Sequence, residues 1–194
     1  MDAHGNASRQ AHPPHRRHAG RIRLRRHQLA QHLPERGQAR AVDALVICLA
    51  LGGGGGLFAE RLTTIAGSSA YFLGGVVCYS NEMKTAWADV PQEMIATKGA
   101  VSTEVAIALA EGIRRRVGST LGVGITGVAG PGGGSEEKPV GTVHIALANA
   151  TGARERALRL PGDREMVRLQ ASQAALDMVR VHFLYNGQTP PKRP

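Results

Sequence analysis

A capped amphipathic helix that runs into an apolar strand, and from there into a glycine-rich loop, constrains this chain more than any other feature. Ser102 suits the cap of a helix over Thr103–Val117, because its oxygen can take a backbone N–H left open at the helix start. Val105, Leu109, Ile113 and Val117 recur every four residues on it, while Glu111, Arg114 and Arg115 can face water. Leu121–Ile125 then reads as a strand, and Thr126-Gly-Val-Ala-Gly-Pro-Gly-Gly-Gly134 follows directly.

The same alternation extends along the chain. Val46–Leu51 is a short apolar run with the character of a strand, and Gly55–Ile65 has helical spacing through Leu57, Phe58, Arg61 and Leu62. Phe72–Tyr79 reads as a buried strand. Asn81 can cap a short helix to Trp87, and Pro91 opens another. Val140–Ala148 and Arg154–Leu160 read as strands, the second of them edge-like. Asp163 caps a long helix to about Leu184, with Val167, Ala171, Ala174, Met178 and Val181 expected on its buried side. Strands interleaved with helices imply a sheet covered on both faces. About 150 residues can bury roughly 70% of their unfolded surface, enough for independent stability.

The net charge of +9 suggests nucleic acid until it is partitioned. Residues 1–40 hold nine arginines and no lysine against Asp2 and Glu35, a surplus of seven. The remaining residues hold 15 basic and 13 acidic side chains, a surplus of two. The basicity therefore belongs to a leader, residues 1–45. It carries Pro13, Pro14 and Pro34 among Arg, His and Gln, and cannot bury enough surface to offset its ordering entropy. It is expected to be disordered, with a short helix near Arg25–Leu33. It lacks the apolar stretch of a secretory signal. Arginines neutralise phosphates whatever the sequence, so nucleic acid is a weak candidate partner for the leader; a solvated tail is the plainer alternative. Residues 46–186 form the expected domain and 187–194 a frayed tail. No apolar run approaches the ~18 residues that span a bilayer, so no membrane partner is expected. Cys48 and Cys78 are too few for a disulfide framework or zinc cluster, and a reducing cytoplasm is the expected location.

Chemistry is expected in the loops. Gly52–Gly56 is a run of five glycines between a strand and a helix, and Thr126–Gly134 is a second glycine-rich segment. A strand–glycine–helix turn presents unpaired N–H groups where an anion is favoured, although such loops are more often simple turns. Neither fits the dinucleotide or P-loop pattern. The third segment is Gly74-Gly-Val-Val-Cys-Tyr-Ser-Asn-Glu-Met-Lys84. It delivers Tyr79 to a strand end and Lys84 to the first turn of a helix. There the positive end of the helix dipole disfavours the ammonium, so Lys84 could serve as a general base or activate a hydroxyl. The alternative is an ordinary surface lysine.

Three stretches carry a resemblance: GGLFAERLTTIAGSSAYFLGGVVCYSNEMK (55–84), KGAVSTEVAIALAEGIRRR (98–116) and GITGVAGPGGGSEEKPVGTVHIALA (124–148). Together they resemble the C-terminal domain of the CinA proteins, which also occurs alone as the PncC-type nicotinamide-nucleotide amidohydrolase. The resemblance covers about residues 50–185. It implies a three-layer α/β/α sandwich around a mixed sheet. It also implies hydrolysis of the carboxamide of nicotinamide mononucleotide to nicotinate mononucleotide and ammonia, with no metal or organic cofactor, and allows a homodimer. By motif position the implied catalytic residues are Lys84, Tyr79 and Thr126. The implied substrate-binding positions are Gly52, Gly53, Gly54, Gly55, Gly127 and Gly130.

The first loop departs from that pattern. The family reads A-E-S-C-T-G-G-L with Ser as presumed nucleophile; this chain reads Ala50-Leu51-Gly52-Gly53-Gly54-Gly55-Gly56-Leu57. Glu, Ser, Cys and Thr become Leu51, Gly52, Gly53 and Gly54. Amide hydrolysis through a covalent intermediate needs a nucleophile, a base and an oxyanion hole, and here the hydroxyl is missing from its place. Ser68 and Ser69 stand where the family also carries serines, so they read as structural. Upstream of Ala50 the resemblance is expected to vanish, as at a damaged or alternative 5′ end. Three outcomes follow: a family enzyme with impaired or lost catalysis, a non-catalytic nucleotide-binding module, or an adaptor whose leader binds nucleic acid.

Overall fold

The expected mixed sheet is present in the computed structural model, which describes residues 45–51, by their backbone, and 56–185. The leader with its expected disorder and short helix, the glycines Gly52–Gly55 and the tail from residue 186 lie outside the described residues. In chain order the elements are β1 (Leu45–Leu51), α1 (Leu57–Thr63), a 3₁₀ turn (Ser68–Ala70), β2 (Phe72–Val77), α2 (Asn81–Ala88) and α3 (Gln92–Lys98). There follow α4 (Thr103–Val117), β3 (Leu121–Gly127), β4 (Thr142–Asn149), β5 (Gly152–Arg159) and α5 (Arg164–Leu184). The strand order is β2-β1-β3-β4-β5. β1 runs parallel to both β2 and β3, whereas β4 is antiparallel to β3 and β5.

Helices cover both faces and complete the three-layer α/β/α sandwich. On one face Phe58 and Leu62 of α1 and Val167, Ala171, Ala175 and Val179 of α5 pack on Val123, Ile125, Val143, Ile145 and Leu147. On the other, α4 turns two stripes to two neighbours. Ala106 and Ala110 meet Ala146 and Ala148 of β4, while Val105, Leu109 and Ile113 join Cys78, Ala88, Val90 and Ile95 in a second cluster. Small residues set this spacing. A Cβ on Gly124 would lie 2.2 Å from the Ala106 carbonyl oxygen, and one on Gly122 2.2 Å from that of Ala110. Only glycine lets the sheet and α4 approach so closely.

Most caps fall where expected. Ser102 accepts the Val105 N–H at 3.3 Å, and Asp163 accepts that of Met166 at 2.9 Å. The cap of α2 is Ser80 rather than Asn81: its backbone is extended and its oxygen accepts the Met83 N–H at 3.3 Å. The buried stripe of α5 is Val167, Ala171, Ala175 and Val179 with Ser172, not one through Ala174, Met178 and Val181. Alanines at 171 and 175 let the helix settle on the sheet, which leaves Ala174 and Met178 at the margin of that core. Among the described residues no helix is long and apolar enough to cross a membrane.

Candidate functional site

The three parallel strands end in register. Leu49 of β1 pairs with Val77, the last residue of β2, and Leu51 pairs with Gly127, the last of β3. Chain leaving all three strands therefore departs at one crest of the sheet. In open α/β sheets that carboxyl crest is where ligands bind. Every site residue expected from the sequence belongs to this crest or to a segment leaving it, with Gly52–Gly55 outside the described residues.

The segment after β2 supplies Tyr79 and Lys84. Tyr79 is 64% exposed and open to a ligand. Lys84 is only 4% exposed, so it is not the ordinary surface lysine of the alternative reading. Its Nζ donates to Asn81 Oδ1 at 3.1 Å, one turn earlier on α2. A lysine kept from water in the first turn of a helix at this crest is a candidate site residue. The Glu82 carboxyl beside it is held below its ordinary value, first by the Ser80 hydroxyl and then by its own backbone N–H.

The segment after β3 supplies Thr126, Gly127 and Gly130. Thr126 is fully buried, and its hydroxyl donates to the Ala100 carbonyl at 2.7 Å. It stands opposite Ala50 of β1 and His144 of β4. β1 lies between β2 and β3, so the strand that leads to Tyr79 and Lys84 and the strand that carries Thr126 flank it, about 10 Å apart at sheet spacing. Gly130 has φ +83°, and a Cβ there would meet Val140 Cγ1 at 2.7 Å. Its carbonyl accepts from Arg164 Nη1 at 2.7 Å.

Arg164 is a residue that the sequence reading missed. It opens α5, where a cation is disfavoured by the helix dipole, and that anomaly was the available signal. It lines a cavity of about 470 Å3 with Leu57, Asp163, Glu165, Arg168 and Leu169, between the heads of α1 and α5. The volume suits a small ligand. Lys84, Tyr79 and Thr126 do not line this cavity; Arg164 links it to the loop after β3 by its bond to Gly130. A more open hollow of about 520 Å3 follows that loop along Pro131–Glu136, Pro139 and Val140.

Polar groups also gather behind Thr126. The Thr103 hydroxyl lies 3.0 Å from His144 Nδ1 and donates to Glu155 Oε2 at 3.4 Å. Burial chiefly holds the His144 imidazole below its ordinary value, with Lys138 acting the same way against Glu155 and Glu104. Among the described residues no group of three His, Cys, Asp or Glu side chains could hold a metal ion.

The fold and the crest define a class: a three-layer α/β/α protein with a buried lysine on the helix after β2 and a buried threonine near the end of β3. Comparison with known proteins names the family. The model of the CinA C-terminal domain matches residues 29–183, and the chain belongs to that family. The match begins at residue 29, so similarity does not stop at Ala50 as the quoted stretches suggest. A CinA-like protein of Koribacter versatilis is 62% identical over 126 residues, 65% of this chain and 30% of that protein. One of Geotalea uraniireducens is 52% identical over 130 residues, 67% of this chain and 31% of its own length. The chain thus spans about a third of these curated relatives. Among solved structures, competence/damage inducible protein CihA of Agrobacterium tumefaciens superposes with a TM-score of 0.68 at 39% identity, covering 72% of this chain and 85% of that one. A CinA superfamily protein of Klebsiella pneumoniae gives 0.69 at 30% identity, covering 73% and 88%.

Proposed function

We propose that the crest binds a nicotinamide nucleotide, and that hydrolysis of its carboxamide is lost or severely impaired in this chain. The reaction that the family resemblance implies is an acyl transfer. A serine hydroxyl attacks the carboxamide carbon and a lysine amine takes its proton. The lysine passes that proton to the amide nitrogen, which leaves as ammonia, and water then cleaves the acyl ester to release nicotinate mononucleotide and the free serine.

The observation that carries the proposal is the state of Lys84. Its side chain is withdrawn from water on the helix that follows β2, the strand paired in parallel with β1. Asn81 Oδ1 accepts one of its hydrogen bonds at 3.1 Å, and a cationic side chain kept from water beside a ligand-binding crest is a candidate site group. Tyr79 and Arg164 extend the same crest, the first as an exposed ring on which a pyridine could stack, the second as a cation near the cavity at the head of α5. The attacking hydroxyl is absent from its place in the sequence, where Gly52 stands. Removing a hydrolase nucleophile leaves only the residual rate that binding and the oxyanion hole supply.

Two measurements on the full chain test this. Calorimetric titration with nicotinamide mononucleotide is expected to give saturable heat, and no heat at millimolar nucleotide would overturn the binding claim. Ammonia release from the same nucleotide is expected to stay near the uncatalysed level. Sustained turnover would show that another group replaces the missing serine.

A further inference from the structure

We infer that His144 is a positioning residue, which acts through Thr103 to hold the α3–α4 link against the Thr126 hydroxyl. The inference rests on the reading of Thr126 as a site residue.

The link, residues 99–102, has one small apolar anchor, Ala100, on the second core cluster. It is also tied by side chains from the β3–β4 hairpin. Thr126 of β3 donates to Ala100 O at 2.7 Å, and Lys138 of the connecting loop donates to Lys98 O at 2.7 Å. His144 of β4 meets Thr103, the first residue of α4, at 3.0 Å. Within the link, Ser102 donates to Gly99 O at 3.1 Å.

Register explains why His144 matters to Thr126. The two are paired across β3 and β4, so their side chains stand together on the α4 face. On that face Thr126 bonds the start of the link and His144 bonds its end. The Ala100 carbonyl takes the Thr126 hydroxyl proton, so the Thr126 oxygen lone pairs point away from that carbonyl. A link that moves leaves this hydroxyl free to rotate. His144 thus fixes the direction in which Thr126 can accept, without touching a ligand itself.

The His144 contact works in either hydrogen direction. The Thr103 hydroxyl can donate to a bare Nδ1, or it can accept from Nδ1–H and pass its own proton to Glu155 Oε2. Facing the imidazole are Glu155 from β5, Glu104 from α4 and Lys138 from the glycine loop, together with Thr103. Asparagine can supply an acceptor or a donor near the Nδ1 position, whereas leucine supplies neither.

The test follows the γ-methyl resonance of Thr126 in methyl-labelled full-length protein, with nucleotide affinity as a second readout. Thr103→Val keeps the histidine ring and is expected to shift the Thr126 signal, while Thr103→Ser leaves it in place. In titrations with nicotinamide mononucleotide, His144→Leu is expected to weaken binding about three- to tenfold, and His144→Asn to stay close to the parent. An unmoved Thr126 signal in Thr103→Val overturns the inference, and so does full affinity in His144→Leu. If the parent chain binds no nucleotide, the proposed function fails, and the methyl signal still decides the positioning role.

Discussion

Replacing Gly112 with alanine should destabilise the domain, although an alanine inside a helix normally does the opposite. Gly112 lies within α4, and a Cβ there would sit 1.6 Å from the Ala88 carbonyl oxygen and 2.6 Å from its carbon. Real Cβ atoms essentially never come closer than 3.0 Å, so the end of α2 would have to retreat by about 1.4 Å. The contacted atoms are backbone, and no rotamer change relieves them. Glycine to alanine within an open helix gains about 1 kcal/mol. Overpacking of this kind costs up to about 3 kcal/mol, which leaves a net loss of about 2 kcal/mol. For a domain of this size that lowers the melting temperature by about 4–8 °C. The retreat also moves the helix that carries Lys84, so nucleotide affinity should fall with stability. Urea unfolding of Gly112→Ala against the parent reads the first effect and calorimetry the second. A variant as stable as the parent or more so would refute the packing between α2 and α4 described above.

Three further outcomes are expected. Burial holds the folded His144 imidazole below its ordinary 6.5, so the unfolded chain takes up this proton first as pH falls. Stability linked to His144 is therefore fully present above about pH 6.5 and declines below it until the folded imidazole is charged too. Urea midpoints at pH 7.5 and 5.5 should differ less in His144→Asn than in the parent, and an equal difference would contradict the burial. Ser102→Ala removes the cap of α4 and should cost about 1 kcal/mol in the same unfolding assay, with a neutral effect counting against the cap. Restoring Glu-Ser-Cys-Thr at positions 51–54 should recover more ammonia release than Gly52→Ser alone, because Leu51, Gly53 and Gly54 also depart from the pattern. Equal recovery would show that only the hydroxyl is missing.

The elements were legible where local chemistry fixes them. Ser102 and Asp163 announce their helices through side chains that accept a backbone N–H, and β3 announces itself as an apolar run. The layers were less so. Ala106 and Ala110 have no strong hydrophobic signal, so the face of α4 that meets the sheet could not be read from spacing. Gly122 and Gly124 carried no signal of their own within the expected strand, yet a Cβ on either would meet an α4 carbonyl at 2.2 Å. On α5 the expected alternation of four- and three-residue steps drifted off the true contact face, which keeps to four-residue steps through Val167, Ala171, Ala175 and Val179. The strand order brings residues distant in sequence to one crest, and no local pattern encodes it. Lys84 was recognisable by motif, but its burial is a property of the packed tertiary structure that no local pattern announces. Arg164 was hidden by the cap beside it, since Asp163 already explained the helix start.

Proton nuclear magnetic resonance of nicotinamide mononucleotide mixed with the full chain tests the central claim most directly, since the same spectra read occupancy and conversion. The account predicts pyridine resonances that broaden and shift with added protein while remaining those of the amide. Growth of nicotinate signals, or sharp lines that ignore the protein, would contradict it.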